Sequence, residues 1–87
     1  MHRLTIIFSG QVQGVGFRRE AQKKALELRI TGSIQNCLDG SVKAVIEGEI
    51  SALFALIQAL TISFPLTDIK ITFDPSSEDM QGFLILR

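Results

Sequence analysis

The sequence predicts an α+β sandwich: an antiparallel sheet with two helices on one face, in the order β-α-β-β-α-β. Three observations predict it. Apolar and polar residues alternate with period two over several short segments, as in strands with one buried and one wet face. Two longer segments switch to helical spacing. Glycines and other turn residues stand where the period changes.

Leu4, Ile6 and Phe8 alternate with Thr5, Ile7 and Ser9, which reads as the first strand. Gly10, Gly14 and Gly16 punctuate a loop. From Phe17 onward, Phe17, Ala21, Ala25 and Leu28 recur at helical spacing among charged residues, which predicts an amphipathic helix over about 16–29, ended by Thr31-Gly32. Ser33 to Asn36 is a short strand, and Cys37-Leu38-Asp39-Gly40 is a hairpin turn. Val42, Ala44 and Ile46 mark the next strand, and Gly48 a loop. Ser51 is the expected N-cap of a second helix reaching Leu60, with Leu53, Leu56, Ile57 and Leu60 on one face and Pro65 confining its far end. Ile69, Ile71 and Phe73 alternate in a further strand, residues 74–81 form a polar loop, and Phe83 to Arg87 is a final short strand. This is the split β-α-β, or ferredoxin-like, plan.

At 87 residues the chain is one small domain, 1–87. Nine Lys plus Arg balance nine Asp plus Glu, so the net charge is zero, which argues against a nucleic-acid binder or a polybasic membrane anchor. No run of roughly 18 apolar residues exists, so no membrane span is expected. The opening residues read as a strand and not as a signal peptide. The single cysteine, Cys37, forms no intrachain disulfide and suits a reducing, cytoplasmic setting. A monomer is expected. Ala52, Ala55 and Ala59 on the second helix are the one candidate face for weak self-association.

The stretch Gly10-Gln11-Val12-Gln13-Gly14-Val15-Gly16-Phe17-Arg18 joins a strand to a helix. Backbone N–H groups at a helix start have no partner within the helix, and the dipole adds positive charge there. Glycines let several N–H groups converge, which makes an anion cradle suited to phosphate. Arg18 lies in the first turn, from which its guanidinium can fold back and grip two oxygens at once. The Walker loop and the dinucleotide fingerprint both fail: no Gly-Lys-Ser/Thr follows, and Arg19 stands where a third glycine would be needed. On residues alone, a glycine-rich turn with a solvated arginine remains the other reading. Asn36 alone reads as a turn residue bonding its own backbone.

Gly10-x-Val12-Gln13-Gly14-Val15-x-Phe17-Arg18 resembles the first signature of the acylphosphatases. Gly32-x-x-x-Asn36-x-x-Asp39-Gly40-x-Val42, followed by Gly48, resembles their second. Length and element order match as well. Ser33 replaces a usual aromatic, Gln35 a frequent basic residue, and Gln11 another. The resemblance implies hydrolysis of acyl phosphates, small-molecule mixed anhydrides of a carboxylic acid and phosphoric acid. It implies that backbone N–H groups of Gln13, Gly14, Val15, Gly16 and Phe17 bind the phosphoryl group together with Arg18. It implies that Asn36 positions the attacking water, with no metal or other cofactor.

So spare a site suits this chemistry. His2 is the only histidine and lies at the terminus, and no His/Cys/carboxylate cluster has metal-ligand spacing. An acyl phosphate expels a carboxylate whose conjugate acid has a pKa of roughly 4–5, so the leaving group needs no proton. Phosphoryl transfer through a loose transition state asks mainly for positioning and charge stabilisation. Two competing functions remain: a non-catalytic anion-binding module on the same fold, motivated by Gln11 and Ser33, and single-stranded RNA binding on the open sheet face. The second lacks the strand aromatics that stack bases.

Overall fold

The computed structural model describes residues 1–86. Strand β1 (His2–Gly10) is followed by helix α1 (Phe17–Glu27), strands β2 (Thr31–Asn36) and β3 (Val42–Gly48), helix α2 (Ile50–Ser63), and strands β4 (Leu66–Asp74) and β5 (Phe83–Leu86). The sheet order is β4-β1-β3-β2-β5. The ferredoxin-like plan is present, with the glycine loop, the β2–β3 turn and the end of β5 gathered at one end of the sheet.

Alternation sets the layers. Leu4, Ile6 and Phe8 of β1, Ile34 of β2 and Val42, Ala44 and Ile46 of β3 are all buried. They pack against Phe17, Ala21 and Ala25 of α1 and Leu53, Leu56, Ile57 and Leu60 of α2 in a single cluster. The same parity sends Thr5, Val45 and Ser33, which lie in register across β1, β3 and β2, to the open face.

The sheet is not antiparallel throughout. β4, β1, β3 and β2 pair antiparallel, whereas β5 pairs parallel to β2, with Gly32 opposite Phe83 and Gln35 opposite Leu86. The cause is the connection over residues 75–82. β4 ends opposite Arg3, at the end of the sheet away from the glycine loop, and the chain crosses that end to the far edge before turning up beside β2. Glu47, buried on β3, anchors the crossing: its Oε2 accepts from the Ser76 hydroxyl at 2.5 Å and from the Glu78 N–H at 2.6 Å.

Several boundaries also differ from expectation; α2 reaches Ser63 and not Leu60, and Arg87, read as the end of the last strand, lies outside the described residues. α1 stops at Glu27 and closes through Leu28 N–H to Lys24 O and Ile30 N–H to Ala25 O, with Arg29 in the left-handed region at φ 58°. Thr31-Gly32 therefore opens β2 and does not end the helix. Gly48 is the last residue of β3, not a loop. Ser51 is not the cap of α2: the Leu53 N–H already donates to Glu49 O, so the helix starts at Ile50 with Glu49 at the N-cap. A carboxylate there complements the helix dipole.

Candidate active site

The glycine loop leaves β1 and enters α1 through two left-handed residues, Gly14 at φ 75° and Gly16 at φ 82°. A Cβ at either would meet no atom within 4 Å, so glycine serves the backbone angle and not the space. Gly16 is the N-cap of α1, and its carbonyl accepts the first helical bond from Glu20 N–H at 3.0 Å. Among the described residues, the N–H groups from Gln13 to Arg18 donate to no protein acceptor. Unpaired amides on a winding backbone at a helix start form an anion-binding concavity.

Phe17 fixes that helix start to the core. Its buried ring stacks edge-on against Phe8 of β1 at 5.0 Å and against Phe64, just past α2, at 4.9 Å. With Phe17 held, Arg18 points to the loop. A cavity of about 420 Å³ is lined by Val12, Gly14, Gly16, Phe17, Arg18, Arg19 and Ile85. Arg18 Nη1 also donates to Leu86 O at 3.3 Å, which steadies the guanidinium against the end of β5.

The structure thus brings Gly14, Gly16, Phe17 and Arg18 together around one cavity. Gln13 and Val15 lie on the same loop outside that lining. The Val15 side chain is about half exposed, and the Gln13 side chain turns away to the β2–β3 turn, donating to Cys37 O and Ser41 O. Asn36 does not line the cavity either. It shares the helix-covered face of β2 with Ile34, at the same end of the sheet, and pairs with Val42. Its Oδ1 is buried and, among the described residues, has no hydrogen-bond partner. The turn-stabilising role read for Asn36 belongs to Asp39, whose Oδ1 accepts from the Ser41 N–H at 3.0 Å and hydroxyl at 2.6 Å. Those two bonds, the hydroxyl first, hold the Asp39 carboxyl below its ordinary value.

Val12, Arg19 and Ile85 were not expected at the site. Arg19, which stands where a dinucleotide fingerprint would need glycine, is in the cavity wall. Ile85 carries no local signal, because only the crossing connection brings β5 there. Ser33, the position lacking the usual aromatic, is opposite Val45 and Leu84 on the open face, whereas Asn36 is on the covered one. Among the described residues no three His, Cys, Asp or Glu side chains gather as a metal site.

The chain as a whole is similar to known proteins. The acylphosphatase family model matches residues 4–85. The chain belongs to the acylphosphatase family. An acylphosphatase from Alcanivorax borkumensis is 42% identical over 78 residues, covering 88% of this chain and 85% of that one. One from Thermus thermophilus is 53% identical over 53 residues, a match that spans 61% of this chain and 60% of the relative. The crystal structure of an acylphosphatase from Bacillus subtilis superposes with a TM-score of 0.93 at 36% identity, covering all of both chains. The acylphosphatase likeness therefore extends to the whole topology, the parallel fifth strand included.

Proposed function

We propose how this acylphosphatase carries out its reaction, the hydrolysis of an acyl phosphate to a carboxylate and inorganic phosphate. The loop N–H groups from Gln13 to Phe17 and the Arg18 guanidinium bind the phosphoryl oxygens. The Asn36 carboxamide positions a water with its oxygen facing phosphorus. That oxygen attacks in line, the bond from phosphorus to the acyl oxygen breaks, and the carboxylate leaves unprotonated. The water's proton passes to a phosphoryl oxygen, so no separate base is required. Arg18 and the amides stabilise the charge on the phosphoryl oxygens as the transition state forms.

The observation that carries this reading is the run of N–H groups from Gln13 to Arg18 without a protein acceptor, beside a cavity that Arg18 lines, with Asn36 at the same end of the sheet. The protein acts in this reading as a single domain and a monomer, in the cytoplasm, on small molecules, without nucleic acid or membrane as partner and without a cofactor. Among the described residues no helix is long and apolar enough to cross a membrane. Weak self-association would use the α2 face expected for it, where Ala55 is exposed and Ala52 and Ala59 are half-buried.

The test is turnover of benzoyl phosphate together with binding of inorganic phosphate. Asn36→Ala is expected to lower kcat about 100-fold, the scale of a misplaced reactant, while phosphate binds as before. Arg18→Ala is expected to lower kcat by about 100-fold or more and to weaken phosphate binding. A chelator is expected to change neither. Phosphate binding without any hydrolysis by the unaltered protein would favour the non-catalytic module instead.

A further inference from the structure

We infer that the side chain of Gln13 is a positioning residue that sets the phosphoryl cradle at working distance from Asn36. The inference rests on the reading that Asn36 holds the attacking water. Gln13 stands in the loop whose N–H groups have no protein acceptor, and its carboxamide reaches away to the β2–β3 turn. Both of its Nε2 hydrogens are used: one goes to Cys37 O at 2.9 Å and one to Ser41 O at 2.9 Å. Cys37 directly follows Asn36, and the turn is closed on itself by Cys37 N–H to Ser41 O at 2.8 Å and Gly40 N–H to Cys37 O at 3.1 Å. One amide group therefore clips the cradle to a pre-closed turn, next to the residue that must point at the phosphorus.

The other flank of Asn36 is tied independently. Gln35 pairs with Leu86, whose carbonyl accepts from Arg18. Asn36 thus sits between two links to the phosphoryl site, one through Gln13 and one through Arg18. The conformation of the cradle itself comes from Gly14, Gly16 and the buried Phe17, whereas the Gln13 carboxamide bonds to the turn. Removing that carboxamide leaves the anion site intact and frees the turn to shift. In-line attack is sensitive to such shifts, whereas ground-state phosphate binding is not.

The experiment is a double-mutant cycle on benzoyl phosphate hydrolysis, with inorganic phosphate as competitive inhibitor. Gln13→Ala is expected to lower kcat about tenfold, with KM and the phosphate inhibition constant within about twofold of the parent. In an Asn36→Ala background the same change is expected to cost less than about twofold, because its effect passes through Asn36. Gln13→Met, which keeps the shape and removes both donors, carries the same expectations should the alanine variant fail to fold. Full additivity with Asn36→Ala, an unchanged kcat, or an equal loss of phosphate affinity each overturns the inference. An unaltered rate for Asn36→Ala alone would instead overturn the water-holding role, so the two failures are separable.

Discussion

Arg3 and Glu47 face each other across the β1–β3 ladder, and both Nε and Nη2 of the arginine reach the same carboxylate oxygen, Oε1, at 2.9 Å. The other oxygen holds Ser76 and the Glu78 N–H. A single carboxylate at the end of the sheet remote from the cradle therefore ties β1 and β3 to the connection that delivers β5. β5 in turn supplies Ile85 to the cavity wall and Leu86 O to Arg18.

This anchor makes stability acid-sensitive. The Ser76 hydroxyl above all, with Arg3 and the Glu78 N–H, holds the Glu47 carboxyl below its ordinary 4.5, against the opposing effect of burial. A depressed folded value means the contribution is fully present above the unfolded pKa and is lost as pH falls through the folded one. Urea midpoints measured from about pH 6 down to about pH 3 are expected to drop below about pH 4.5, and Glu47→Gln is expected to flatten that drop. Asp39 is depressed in the same direction, so part of the slope remains. An unchanged slope in Glu47→Gln would assign the acid sensitivity elsewhere.

Gly16→Ala tests the cradle from the backbone. The added Cβ meets open space, so the cost is that of holding φ 82° with a side chain, about 1–2 kcal/mol. Chemical unfolding should report that loss. The phosphate inhibition constant should rise in the folded fraction as the loop relaxes toward negative φ.

Arg18→Lys separates charge from shape. Lysine keeps one positive charge but loses the planar fork and the simultaneous reach to two phosphoryl oxygens. Turnover of benzoyl phosphate, as kcat/KM, is expected to fall by roughly tenfold or more. Equal activity would mean that Arg18 acts only as a point charge.

The local elements were legible because each leaves a periodic trace. Leu4, Ile6 and Phe8 announce β1, and Phe17, Ala21 and Ala25 announce α1, since burial of one face is a local requirement. The loop was legible for the same reason: glycines before a helix start describe a backbone, and the structure leaves the amides on that backbone without protein acceptors. Ser51 misled as a cap because Glu49, one residue before Ile50, serves a helix start as well through its charge. Glu47 left no signal beyond an ordinary polar position in a strand. Its importance arises from residues around 76–78, about thirty positions away along the chain.

Sequence alone determined that this chain builds two amphipathic helices over an alternating sheet and that a glycine-rich loop leads into the first helix beside Arg18. Those properties depend on near neighbours, and near neighbours are written in order. Tertiary structure decided that β5 lies parallel to β2, that Ile85 and Leu86 reach the site, and that Gln13 and Arg18 bracket Asn36 from its two sides. Such relations join residues far apart in the chain, and the backbone carbonyls that accept these bonds are carried by every residue type and leave no trace in residue identity.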